Sequence, residues 1–153
     1  MKKITLKNIL LFLLFVFIYF LPSILFKMDF SYYNEVKRPN VPQIIFPIAW
    51  TIIYITLSIF ITYLINNHPF KDNKRIYIYL IINYFIQAAF IFAFFGANDL
   101  FWSYIITIAT FASSIFIFLE AYPLNKKVSF LLTPYLIWGA FATILSIIIY
   151  LWN

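Results

Sequence analysis

The chain has no cysteine, one histidine and few charges, and each shortage closes off a class of chemistry. Without cysteine there is no disulfide, no thiolate nucleophile and no Cys-ligated metal. Charged residues make up only 10% of the 153 positions, against about 25% in a soluble domain whose surface must be wetted. The acids Asp29, Glu35, Asp72, Asp99 and Glu120 all fall outside the long apolar runs, and so does His68. Lys and Arg are missing from the interiors of those runs as well. Proton pumps, voltage sensors and most ion-coupled carriers rest on ionisable groups inside the membrane. This sequence supplies none. It also has no Ser/His/Asp set, no His-rich metal cluster and no phosphate loop. No metal site is expected, and a haem held by an axial histidine within the bilayer is excluded.

What remains is apolar: 65% of residues are hydrophobic and 24% aromatic, with 20 Phe and 12 Tyr. The chain reads as an all-α integral membrane protein forming a single domain over residues 1–153. A bilayer core takes about 20 apolar residues of helix, and the runs 8–26, 44–65, 76–95, 100–119 and 128–151 meet that length. Backbone groups in lipid must bond internally, so these runs are helices. The first has no small-residue cleavage site after it and four more spans follow, so it is expected to be a retained helix. Lys2, Lys3, Lys7, Lys71, Lys74, Arg75, Lys126 and Lys127 fall on one side, against Lys27, Lys37 and Arg38 on the other. The positive-inside rule then places the N-terminus in the cytoplasm and the C-terminus outside. On this reading the net charge of +6 reports orientation rather than nucleic-acid binding.

A few polar and aromatic residues interrupt the spans. Asn83 and Gln87 are four apart and share a helix face that Phe90 and Phe94 continue. They are either interhelical glue or polar handles in an apolar ligand pocket. Trp50 and Tyr54 share a face of the second span, and Trp50 sits at a depth that fits either an interfacial belt or the bundle interior. Trp102 and Trp152 suit the belt. Thr107, Thr110 and Ser114 are expected to bond to their own helix backbone. In the fifth span Tyr135, Trp138 and Ala142 fall on one stripe, with Gly139 and Thr143 on a second beside it. Trp138 is mid-membrane, where a belt role fails. It either fills a gap between close helices or forms one wall of a slot. The loop 27–43 carries Pro39 and Pro42, which stiffen it, and Phe30, Tyr32 and Tyr33 to pack with. It is a lid over the bundle or a plain connector.

Three stretches resemble the tryptophan-rich sensory protein family, whose animal members are the translocator proteins or peripheral benzodiazepine receptors. LLTPYLIWGAFATILSIIIYLWN is similar to the family's last helix, RPNVPQIIFPIAWTIIY to its first loop and second helix, and NYFIQAAFIFAFF to its third helix. The resemblance implies a five-helix bundle, often a homodimer, that binds protoporphyrin IX, haem and related flat hydrophobic small molecules as ligands, with no obligate cofactor. By motif, the ligand site would use Tyr33, Pro42, Trp50, Tyr54, Asn83, Gln87, Phe90, Trp138 and Ala142. Gln87 stands where the family commonly has Asn, Phe90 where it often has Trp, and Val41 near the place of a loop Trp. Three functions follow from it: a receptor or sensor, a light- and oxygen-dependent porphyrin-degrading enzyme using Trp50 and Trp138, or a porphyrin or sterol carrier. The Ile-, Asn- and Lys-rich composition points to a bacterial plasma membrane.

Overall fold

The computed structural model describes residues 5–26 and 30–153. Lys2, Lys3, Lys27 and Asp29, used above for orientation and charge, lie outside the described residues. Among the described residues five helices are long and apolar enough to cross a membrane and there is no strand.

The helix ends follow local chemistry. α1 (Leu6–Leu25) opens on Thr5, whose side chain accepts from the Asn8 amide. A short α2 (Ser31–Glu35) lies within the first loop. α3 spans Ile45–Asn67 and carries Pro47 in its first turn, where no intrahelical N–H is lost. α4 (Lys74–Ile91) continues through a wider π-type turn at Phe92–Gly96. Asn98 then takes a positive φ of 52°, a left-handed conformation that Asn tolerates better than most residues. Asp99 caps α5 (Leu100–Ala121), accepting from the Trp102 amide at 2.9 Å. Asn125 caps the short α6 (Lys126–Ser129), and a tight turn at Phe130–Leu132 leads into α7 (Thr133–Trp152). The observed spans begin and end within a few residues of the runs read from hydropathy.

α5 packs along both α4 and α7, while α1 lies along α3. Of the α1 span only 11% is buried; Leu10, Leu13, Leu14 and Phe17 face outward, as lipid contact requires, while Phe15 and Phe20 turn in against the core. The interior is built from Ile53, Leu57, Leu64, Ile117, Leu132 and Tyr135. Trp102 and Trp152 are half exposed at helix ends, the belt positions expected of them. The α5 hydroxyls bond backward along their own helix, Thr107 to the Ser103 carbonyl and Thr110 to the Ile106 carbonyl, both at 2.8 Å.

Gly139 is where α7 meets α5 closely. A Cβ built there would lie 2.7 Å from Phe111 Cδ2 and 3.4 Å from its Cγ. The clash is with the near edge of the Phe111 ring, so relief requires that ring or the helix carrying it to shift. Gly139→Ala should therefore destabilise the bundle by about 1–3 kcal/mol. Reversible denaturation of the purified protein checks this.

Candidate functional site

The first loop is folded down onto the end of the bundle. Tyr33 of α2 is buried, with its ring against Phe46 of α3 (5.2 Å) and Phe94 (6.3 Å). Arg38 locks it in place: its Nε donates to the Tyr33 carbonyl at 2.7 Å, and its guanidinium carbon sits 4.1 Å over the Tyr33 ring. The Tyr33 hydroxyl donates to the Val41 carbonyl at 3.4 Å. Burial pushes the Tyr33 phenol above the usual tyrosine range and Arg38 beside it partly opposes that rise, so the ring stays neutral at physiological pH. At the far end of α7, Asn153 grips the loop from both sides of one residue. Its Oδ1 accepts from the Lys37 amide and its Nδ2 donates to the Lys37 carbonyl, each at 3.0 Å. This loop is a lid rather than a slack connector. Arg38→Ala should speed amide hydrogen exchange across residues 30–43 by roughly tenfold, the size of one cation–π contact plus a hydrogen bond.

Beneath the lid lies a cavity of about 270 Å³. Phe46, Trp50 and Tyr54 line it from α3, Gln87 and Phe90 from α4, and Ser103, Thr107 and Thr110 from α5. Tyr135, Trp138 and Ala142 close it from α7, and Phe30 and Tyr33 roof it from the loop. The π-type turn serves this site. By widening one turn it lets the successive residues Phe94 and Phe95 both face the cavity, whereas neighbours on a regular helix diverge by about 100°. Phe94 stacks on Phe90 at 5.7 Å and Phe95 meets Phe30 at 5.1 Å. No Lys, Arg, His, Asp or Glu among the described residues lines the cavity. Among the described residues no cluster of His, Cys, Asp or Glu is able to hold a metal.

The structure brings Tyr33, Trp50, Tyr54, Gln87, Phe90, Trp138 and Ala142 together around this space. Trp50 faces inward, tilted against Tyr54 at 5.5 Å and Tyr135 at 6.3 Å, so it is not a belt residue. Trp138 meets Phe46 edge-on at 5.6 Å. On α7, Trp138, Gly139 and Ala142 all line the cavity, and Gly139 also admits α5 through its contact with Phe111. Pro42 does not reach the cavity lining; its role is in the loop backbone, where its carbonyl accepts from the Ile45 amide at 3.1 Å.

Asn83 also lies behind the wall. It is fully buried and binds three helices at once. Its Nδ2 donates to Ser113 Oγ at 2.6 Å, and its Oδ1 accepts from the Tyr135 hydroxyl at 3.0 Å and from Gln87 Nε2. Gln87 Nε2 donates as well to the Tyr135 oxygen at 2.6 Å. Glue and pocket are therefore split between the two amides, Asn83 holding the helices and Gln87 facing the space. Sequence reasoning left Phe46, Ser103 and Tyr135 out of the site. Tyr135 carried a signal, lying three residues before Trp138 on the same stripe.

Comparison with known proteins bears on this arrangement directly. The profile of the TspO/MBR family matches residues 9–152. The chain belongs to the TspO/MBR family. It is 27% identical over 152 residues to the tryptophan-rich protein TspO of Bacillus cereus, covering 98% of this chain and 97% of that one. It is also 30% identical over 124 residues to the uncharacterized membrane protein YtaB of Bacillus subtilis, covering 80% of each. With five apolar helices and bacterial relatives of this kind, the chain is a multi-pass protein of the cell membrane. Within this TspO/MBR protein the cavity is the place where aromatic faces and spare polar atoms converge.

Proposed function

We propose that this TspO-family protein is a membrane receptor that takes up a tetrapyrrole, protoporphyrin IX or haem, or a related flat apolar molecule under its lid. The observation that carries the reading is the cavity itself: Trp50, Tyr54, Phe90 and Trp138 surround a space whose walls, among the described residues, carry no acidic or basic side chain. Such a wall binds by stacking and by removing apolar area from water, worth about 25 cal/mol per Å². The resemblance to the tryptophan-rich sensory proteins supports the same ligand class. At about 270 Å³ the closed cavity is slightly below the ~300–1,000 Å³ of typical small-molecule sites. A whole macrocycle therefore enters with the lid displaced and its Lys37–Asn153 tie to α7 released. The N-terminus would lie in the cytoplasm and the lid outside, and the working form would be a homodimer.

Titrating protoporphyrin IX into the purified protein tests this. Saturable quenching of tryptophan fluorescence near one equivalent per chain supports the reading, and quenching that rises linearly without saturation refutes it. A second reading is favoured by one feature, the pairing of Trp50 and Trp138 across one cavity. Both indoles are oxidisable and sit where a photoexcited pigment would be held, which fits light- and oxygen-dependent porphyrin breakdown. A new absorbing product under illumination, lost in Trp50→Phe and Trp138→Phe, distinguishes it from binding alone. The carrier reading has no ion-coupling group to support it and ranks last.

A further inference from the structure

The α5 side of the cavity has a polarity that follows from its hydrogen bonds. Thr107 and Thr110 spend their hydroxyl protons on the Ser103 and Ile106 carbonyls at 2.8 Å, and Ser103 spends its own on the Asp99 carbonyl. Each hydroxyl then offers only oxygen lone pairs to whatever enters. Gln87 has the same character for a different reason. The Ser113 hydroxyl donates to the Thr110 carbonyl at 2.9 Å, so it accepts from Asn83 Nδ2. That fixes Asn83 Oδ1 toward Tyr135 and Gln87, and both protons of Gln87 Nε2 are used on Asn83 and Tyr135. The amide is locked, and the atom left over is Oε1, buried without a partner on a residue only 7% exposed. α4 and α5 run antiparallel and Asn83 sits beside Thr110 and Ser113. Gln87, one turn toward the lid, is therefore level with Thr107.

We propose that Gln87 Oε1 and the hydroxyls of Ser103, Thr107 and Thr110 form a hydrogen-bond-accepting face that selects ligands with an N–H or O–H donor on their rim. The proposal rests on the ligand-binding reading above and names the chemistry that the cavity prefers. A buried acceptor without a partner costs free energy until a donor reaches it. A ligand rim bearing only acceptors would leave Gln87 Oε1 orphaned and meet lone pairs along α5, with Trp138 Nε1 the unpartnered buried donor on the lining that it could still use.

Three flat tricyclic probes of nearly one shape test this: carbazole carries an N–H donor, dibenzofuran only an acceptor, and fluorene neither. Their affinities are read by tryptophan quenching in detergent for the full chain and for Gln87→Leu and Thr107→Val. Thr107→Val is nearly isosteric and leaves the Asn83 network intact, so it reports even if Gln87→Leu folds poorly. Carbazole should bind about fivefold tighter than the other two, the effect of one net hydrogen bond, and both variants should shrink that preference. Each probe's partition into detergent is measured separately and its affinity corrected for it, and what remains cancels between the full chain and its variants. Equal binding of the three probes, or a preference unchanged in both variants, overturns the accepting face while cavity binding stands. No binding of any probe to folded protein overturns the ligand-binding reading, and the accepting face with it.

Discussion

Replacing Asn83 with leucine should cost the bundle about 2–4 kcal/mol, the largest stability loss expected from any single polar residue here. Interhelical hydrogen bonds in membranes average only about 0.6 kcal/mol and reach ~1.7. Asn83, however, joins Ser113 on α5, Gln87 on its own helix and Tyr135 on α7 while fully buried. Its removal also strands the Tyr135 hydroxyl, which is almost entirely shielded, and frees the Gln87 amide to turn. The exposed Asn66, which donates to Asn8 at 3.1 Å between α1 and α3, is the contrast; its alanine variant should fall within about 0.5 kcal/mol of the parent. Unfolding in mixed detergent measures both. A loss below 1 kcal/mol for Asn83→Leu would mean that the neighbouring hydroxyls find other partners.

The second large effect is on ligand. Trp138→Ala should weaken protoporphyrin binding by roughly 30-fold, ~2 kcal/mol, the scale of a buried aromatic anchor. The indole is one wall of the cavity and braces Phe46, which in turn supports Tyr33 of the lid. Trp102→Ala, at the half-exposed start of α5, should leave affinity unchanged. That pair separates a specific wall from the general removal of a fluorophore, provided affinity rather than quenching depth is compared.

How much of this was legible in the sequence varies with the range of the interaction involved. Span positions depend on runs of about 20 residues, which is local information, and hydropathy placed all five. The mid-membrane depth of Trp138 and the shared face of Asn83 and Gln87 are also local, set by helical spacing. What depth and spacing left open is which of two nearby residues faces a space. Asn83 and Gln87 are one turn apart, and only their contacts with Ser113 and Tyr135, 30 and 52 residues from Asn83, assign them different work. Trp50 fitted the belt and the interior equally until the rings of Tyr135 and Tyr54 were in place beside it. The lid was harder still. The Asn153 grip on Lys37 joins residues 116 apart, and the π-type turn at Phe92–Gly96 departs from regular helical periodicity, so neither shows in a pattern read along the chain. Pro42 matched a family motif, but its place in the loop backbone keeps it off the cavity lining.

A structure of the full chain solved with bound protoporphyrin IX bears most directly on the central claim. The macrocycle should lie between Trp50 and Trp138, with the loop around Tyr33 shifted from its closed position to admit it. Density instead in the outer groove of α1 beside Lys7, Leu10 and Leu14, with the cavity unchanged and empty, would contradict a ligand site inside the bundle.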